Sequence, residues 1–304
     1  MQTAAALQGY TDIFRAGIWK PRTSPDTFQG IGDIGLEWLQ EVKDVTGMSV
    51  ATEVSTPEQV CKALEAGIDY LWIGARSSAN PILVQQLADA IAASPVQPKG
   101  VMVKNPVNED AELWIGNVKR LTVFAVHRGC EHRPCWGMAH RLREVLPEIP
   151  LLLDPSHMSG KSEQVGSLCF TAQALGYEGL MTEVHVRPSE ALSDARQQIT
   201  PQEWREIRLQ TEDIAVTDDV ELMWLRHELD EIDERLWAAM SERMDVSRKI
   251  GKHKREKGLP VVQPERYQYI LSRRLEWAKM HHLDPKAVSE MMHLIHSESI
   301  RVQS

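Results

Sequence analysis

The sequence predicts two folds on one chain: an α/β domain of the (β/α)8 kind that is one unit short, followed by an all-α domain. Three observations carry this. Short apolar runs alternate with amphipathic stretches seven times between Asp12 and Gln198. From about Asp218 the alternation stops, and apolar residues recur in steps of four and three. A length of 304 residues is enough for one large domain or two ordinary ones.

The candidate strands are Asp12–Ala16, Ser49–Val54, Tyr70–Gly74, Gly100–Lys104, Val123–His127, Pro150–Asp154 and Gly179–Val184. Helical patterns sit between them, among them Glu58–Ala66, Pro81–Ala92, Met138–Leu146 and Gln164–Leu175. Repeated β–α units imply a parallel sheet covered by helices. A doubly wound open sheet is the alternative to a barrel. No Gly-x-Gly-x-x-Gly follows a strand, which weakens a dinucleotide-binding reading.

In the second part, Leu225, Leu229, Ile232, Leu236, Ala239, Arg243, Val246 and Ile250 form one face of a long helix. Thr217 and Asp218 are candidate caps, and Gly258 and Pro260 end the helix after Lys254. Pro264–Met280 and Pro285–Val302 follow as helices, separated by His281–Asp284. The expected division is a barrel over 1–205, a linker over 206–216 and a helical domain over 217–304.

Composition narrows the function. A net charge of −9 argues against generic nucleic-acid binding, so any basic cluster is local and suits small anions. No apolar run reaches the roughly 18 residues of a membrane helix. The start, Met1 to Tyr10, lacks the basic opening of a secretory signal. The four cysteines, Cys61, Cys130, Cys135 and Cys169, form no disulfide framework, which favours the cytoplasm.

In a (β/α)8 barrel the C-terminal strand ends converge on the active site. Here they carry Arg15 with Lys20-Pro21-Arg22-Thr23, then Glu53, Arg76, Lys104, His127-Arg128, Asp154 with His157, and Glu183 with His185. Any one of these is simply a polar residue after a strand. Lys or Arg at four of seven consecutive ends, on an acidic chain, fits a substrate with phosphate and carboxylate groups.

The runs RAGIWKPRTSPDTFQG, IGAR, LLLDPSHMSGK and TEVHVRPSEALSDARQQ resemble the 3-deoxy-arabino-heptulosonate 7-phosphate synthases of the short, metal-dependent type, over about residues 1–205. The resemblance implies condensation of phosphoenolpyruvate with erythrose 4-phosphate. It implies that Arg15, Lys20, Arg76, Lys104 and Arg128 clamp phosphoenolpyruvate, and that Lys20, Pro21, Arg22 and Thr23 form the erythrose 4-phosphate loop. It further implies that His157, Glu183 and Asp194 hold a divalent metal ion (Mn, Fe, Co or Zn), with Lys20, Lys104 and His157 in catalytic positions. A Lewis acid would polarise the aldehyde while the cations hold two anions together. The chain departs from the family in one respect. Members begin with a strand ending in Gly-Pro-Cys, whose Cys is a further ligand, whereas MQTAAALQGY resembles the tail of the helix after that strand. The expectation is a barrel without its first strand, open at one edge, binding metal weakly. Cys130 and Cys135 are either loop thiols or metal ligands.

Arg243 interrupts the apolar stripe, so it needs an anionic partner or a head that reaches water. Lys254 lies about 20° around and ~16 Å along the same helix, close enough to share a small dianion with it. Arg226 is ~25 Å from Arg243 and cannot join them unless a second, antiparallel copy delivers it. The runs LRHELDEIDERLWAAMSERMDVSRKIGKHK, ERYQYILSRR and HHLDPKAV resemble the all-helical chorismate mutases. That resemblance implies rearrangement of chorismate to prephenate, with Arg226, Arg243, Lys254, Arg266, Ser299 and Gln303 binding substrate and Arg243 and Lys254 catalytic. Gln263 and Tyr267 stand where many members have acidic residues. The whole reads as a two-activity shikimate-pathway enzyme and homodimer. Two other readings are a helical module that senses prephenate or chorismate, and an oligomerisation module on an inactive barrel.

Overall fold

The computed structural model describes residues 1–22, 24, 26–121, 124–212, 214, 216 and 219–303. Thr23, Val123, Thr217 and Asp218, each given a role by the sequence, lie outside the described residues. The chain divides into two compact units, Met1–Glu228 and Leu229–Ser304.

Among the described residues the first unit holds seven parallel strands: β1 (Ile13–Arg15), β2 (Ser49–Glu53), β3 (Tyr70–Ile73), β4 (Gly100–Lys104), β5 (Phe124–His127), β6 (Leu151–Leu153) and β7 (Gly179–Leu180). They pair in chain order from β1 to β7, and β1 does not pair with β7. Helices such as Ile34–Thr46, Pro57–Glu65, Pro81–Ala93 and Ala111–Leu121 lie between them in sequence. This is a TIM-type barrel short of one strand.

The two-residue period of the strands sorts their side chains. Val50, Leu71, Ile73, Val101, Val103, Ala125, Leu151 and Leu153 point outward into the main core shared with the helices. Ala51, Trp72, Met102, Val126 and Met181 form a separate cluster on the inner face, packed with Ile13, Tyr70, Phe124 and Leu152. Register then gathers charge on that inner face. Arg15 pairs with Ala51, Glu53 with Trp72 and Lys104 with Val126, so all three charged residues point the same way. Gly100 is required on the same face, because a Cβ there would lie 2.9 Å from the Phe124 ring and 3.2 Å from Tyr70.

Two expectations need correcting. The last strand was expected to reach Val184 but ends at Leu180. Beyond it the chain turns to Ile199, whose N–H donates to Glu183 O (3.1 Å) and whose carbonyl accepts from His185 N–H (3.0 Å). The expected linker 206–216 is helical as far as Glu212, within Pro201–Glu212. That helix is anchored by Trp204, which is buried with Leu7, Val165, Cys169 and Ile199 and donates to Thr11 Oγ1 at 3.1 Å.

The long helix is Val220–Lys257, stopped by Gly258 in the left-handed conformation. Asp219 Oδ1 caps its start by accepting from Leu222 N–H at 2.9 Å. The compact unit boundary falls inside this helix, because Trp224 is part of the first unit's core. It is 1% exposed and lies 5.5 Å from the Tyr177 ring and 6.0 Å from that of Trp136. The second unit holds the rest of this helix with Pro264–Met280 and Pro285–Gln303. Its apolar stripe is uncovered, with Leu229 58% and Ile232 44% exposed and Leu236, Val246 and Ile250 similar. No helix is long and apolar enough to cross a membrane.

Trp224→Ala should destabilise the full chain by about 3–5 kcal/mol, the usual cost of deleting a buried Trp. Urea unfolding followed by circular dichroism measures it, and a loss under about 1 kcal/mol would mean that the helix start is not seated in the first unit.

Candidate functional site

Asp154 follows β6 and points inward, two residues beyond Leu152. Its carboxylate accepts from Lys104 Nζ (2.6 Å) and His157 N–H (3.0 Å), and its oxygens lie 2.9 and 3.0 Å from His157 Nδ1. It caps the Pro155–Ser159 turn. Burial by itself would raise its pKa, but His157, Lys104 and Arg15 hold it well below the ordinary carboxylate range. Because an ionised carboxylate can only accept, His157 Nδ1 is the donor in this contact.

Beside it Arg15 donates to Glu183 Oε1 (2.8 Å) and lies over the Trp72 ring, 5.1 Å from its centroid. Glu183 is lowered below its ordinary value by Arg15, His157 and Lys20, which together outweigh burial. Glu53 goes the other way. Burial raises it, although Lys104, Arg15 and Lys20 oppose. Gly74 makes room for it, since a Cβ there would lie 2.0 Å from Glu53 Oε1. Lys20 Nζ donates to Ser193 Oγ (2.5 Å) and Asp194 Oδ2 (3.1 Å), and Arg22 reaches the same carboxylate oxygen at 3.3 Å. Asp194 is thereby held well below its ordinary value despite burial. A cavity of about 360 Å³ opens between β1 and β7, lined by Arg15, Lys20, Glu183 and Ser193 with apolar walls from Phe14, Met102 and Met181.

The structure therefore brings Arg15, Lys20, Arg22, Lys104, His157, Glu183 and Asp194 into one charged network. Arg128 is half-buried, its N–H held by Asn105 Oδ1 at 2.7 Å, and Pro21 is half-buried between Lys20 and Arg22. Arg76 is exposed in the short Ala75–Ser78 helix after β3. The ligand atoms of the three expected metal ligands are not all within 4.8 Å of one another. His157 and Glu183 interact, whereas Asp194 faces Lys20 and Arg22. His127 faces outward, buried against Trp114, Trp136 and Tyr177, and burial pushes it down to about 3. Sequence reasoning missed Trp72 and Ser193 and did not give Asp154 a site role. Strand parity identifies Trp72, whereas Ser193 carries no such signal.

In the second unit Arg243 donates to Ser299 Oγ, and Lys254 Nζ donates to Val261 O at 2.7 Å. Neither has a carboxylate partner among the described residues. Burial and Arg274 lower the Arg243 pKa, and burial, Arg243, His293 and Lys254 lower that of His296. Tyr267 stacks on His296 at 4.1 Å and shares a 2.7 Å hydrogen bond with His293. Gln303 is 8% exposed, its backbone tight against Gly251. Arg266 lies over the Tyr269 ring, and Arg226 is exposed on the long helix.

Known proteins resemble both units. The DAHP synthetase I family model matches residues 1–108 and 137–218, and the chorismate mutase type II model matches residues 225–304. The phospho-2-dehydro-3-deoxyheptonate aldolase of Thermotoga maritima is 32% identical over 222 residues, which is 68% of this chain and 63% of that protein. A 2-dehydro-3-deoxyphosphooctonate aldolase of Wolinella succinogenes is 28% identical over 220 residues, covering 62% of this chain and 81% of its own length. A crystal structure of the Thermotoga maritima protein superposes with a TM-score of 0.60 at 28% identity, covering 69% of this chain and 63% of that one. The chain thus spans just under two thirds of the length of the Thermotoga relative.

Protonation of Asp154, Glu183 and Asp194 should set the acid limit of stability. Their folded pKa values lie below the unfolded ones, so their contribution is present above about pH 4 and is lost as pH falls through the folded values. Glu53, being raised, has the opposite sign. Asp154→Asn should strand Lys104, costing about 3–5 kcal/mol at neutral pH, and make the acid limb shallower. Urea midpoints measured from pH 7 down to about pH 2 test both. A variant as stable as wild type at neutral pH, with an unchanged acid limb, would refute this role.

Proposed function

We propose that this chain, which belongs to the DAHP synthetase I family, is a two-activity enzyme of aromatic amino-acid biosynthesis. Its barrel condenses phosphoenolpyruvate with erythrose 4-phosphate and releases phosphate, and its helical unit rearranges chorismate to prephenate. One observation carries the reading: each matched family falls on a unit that holds its own cluster of cations. Relatives of both aldolase names share the barrel, and the run Lys20-Pro21-Arg22-Thr23 favours erythrose 4-phosphate as the acceptor. A cytoplasmic setting suits a chain in which no described cysteine is in a disulfide.

In the barrel, Arg15, Lys20, Lys104, Arg76 and Arg128 bind the phosphate and carboxylate of phosphoenolpyruvate. Pro21, Arg22 and Thr23 shape the site for the sugar phosphate. Arg15, Lys20 and Arg22 now neutralise internal carboxylates, so an incoming anion replaces one ion pair by another. Lys104, kept in place by Asp154, is a buried donor to developing charge. A bound divalent metal ion, Mn, Fe, Co or Zn, would act as a Lewis acid on the aldehyde oxygen. His157 fits as a ligand, because a carboxylate on Nδ1 is the arrangement of a metal-binding imidazole. Glu183 fits as a buried ionised carboxylate. Asp194 fits only by releasing Lys20 and Arg22.

His157→Ala and Glu183→Gln should each weaken Mn(II) binding to the full chain by at least about 10-fold, as read by titration calorimetry. Unchanged affinity in both would remove this metal site.

In the helical unit the rearrangement needs a pocket that fixes the reactive conformer and donors for the ether oxygen. Arg243, Lys254, Arg266, Ser299 and Gln303 supply cationic and amide donors. Arg226, ~25 Å from Arg243 along one helix, comes from a second copy. The exposed Leu229, Ile232, Leu236, Val246 and Ile250 give that copy an apolar face to cover.

Arg243→Ala should lower mutase turnover by about 10²–10³ in the full chain. Mixing it with Arg226→Ala should restore about a quarter of wild-type activity, since half the dimers are mixed and each has one intact pocket. No recovery after confirmed subunit exchange would put the pocket within one chain, and binding without turnover by the wild type would favour a sensor.

A further inference from the structure

Two thiols that neither proposed reaction uses lie together after β5. Cys130 and Cys135 are 2% and 1% exposed and are packed into one core cluster, on either side of a single turn. Cys130 Sγ is also 3.6 Å from Met138 Sδ and 3.7 Å from Asn105 Nδ2.

The segment between them is tightly determined. Cys130 N–H donates to Arg133 O, and Arg133 N–H to Cys130 O, both at 2.9 Å. Glu131, His132 and Cys135 all have positive φ, an unusual concentration for residues with a Cβ. Glu131 and His132 are exposed, so local opening of one short turn exposes both sulfurs to a small oxidant. Cys135 stands at the N-terminus of the Trp136–Val145 helix.

The other two cysteines show what is particular about this pair. Cys169 is buried among apolar residues, and burial pushes its thiol up to about 12. Cys61 is exposed, on the helix Pro57–Glu65. At Cys130, the Cys135 side chain, aided by Arg128 and Arg133, draws the thiol below its ordinary value against burial and Glu109.

We propose that Cys130 and Cys135 are a redox-active dithiol that a peroxide closes to an intramolecular disulfide. The Cys130 thiolate attacks one peroxide oxygen. An S–O bond forms, the O–O bond breaks, and the departing hydroxide takes up a proton to leave as water. Cys135 sulfur then attacks the sulfenic sulfur of Cys130. The S–S bond forms, the S–O bond breaks, and a second water leaves with the Cys135 proton. Two thiols are oxidised by two electrons and one peroxide is reduced to two waters. The disulfide would close the turn two residues beyond Arg128. Asn105 already ties that turn down through Arg128 N–H (2.7 Å) and Gly129 O (3.0 Å).

The test uses the full chain, reduced, desalted and treated with a slight excess of hydrogen peroxide. It is then denatured, alkylated with N-ethylmaleimide and digested with trypsin. The Arg133–Pro134 bond resists trypsin, so Gly129–Arg141 emerges as one peptide with both cysteines. That peptide should be unalkylated and lighter by two hydrogens, with Cys169 still alkylated and dithiothreitol reversing the change. In Cys135→Ser, dimedone should trap a sulfenic acid at Cys130. The proposal fails if Cys130 and Cys135 alkylate as fully as Cys169, if they are recovered as sulfinic or sulfonic acids without a disulfide, or if dimedone labels nothing at Cys130 in the variant.

Discussion

Asp154 keeps a full negative charge with no solvent exposure, and the cavity end of the barrel is arranged around that charge. Desolvation of a lone carboxylate is prohibitive, so its lone pairs have to be taken by cations and N–H groups. Lys104 from β4, the His157 ring and the His157 N–H meet that need. Each is fixed in turn. Lys104 cannot move without abandoning the carboxylate, and the imidazole is held with Nδ1 toward it. Buried ion pairs add little net stability, because desolvation consumes most of their attraction, yet removing one partner is costly. The network is therefore better understood as the means of placing a lysine and an imidazole than as a source of stability.

Much of this is legible in the sequence, because it follows from strand parity. Parallel register and a period of two put Arg15, Glu53 and Lys104 on one face once their strands are identified, and six of the seven strands are bounded close to where their apolar runs begin and end. What escaped was decided at long range. Asp194 joins Lys20 across 174 residues, a pairing with no local signature. The end of β7 is set by Ile199 rather than by its own apolar run. The helix Pro201–Glu212 reads as linker because its chain is highly charged and its apolar contribution comes chiefly from Trp204 and Ile207. The first compact unit reaches into the long helix for a similar reason: Trp224 lies on a periodic helix, and only packing against Trp136 and Tyr177 assigns it to that unit.

The two units handle positive charge differently. In the barrel, Arg15 faces Glu183, Lys104 faces Asp154, and Lys20 and Arg22 share Asp194, so the network is close to neutral before any substrate arrives. An anionic ligand must compete with an internal carboxylate, and its advantage lies in carrying more charge and more acceptor oxygens than the group it displaces. In the helical unit, Arg243 and Lys254 are satisfied by a hydroxyl and a carbonyl, which accept hydrogen bonds but do not cancel charge. Arg274 lies within electrostatic reach and adds to the same field, and the field together with burial lowers the His296 pKa. Uncompensated charge of this kind destabilises the unit holding it and favours whatever brings a dianion or closes the site to water. The exposed leucines and isoleucines of the same helix place a parallel demand on a partner surface. Both demands are met together if one association covers the apolar stripe and completes the cationic pocket, which couples assembly of the helical unit to its ability to bind substrate.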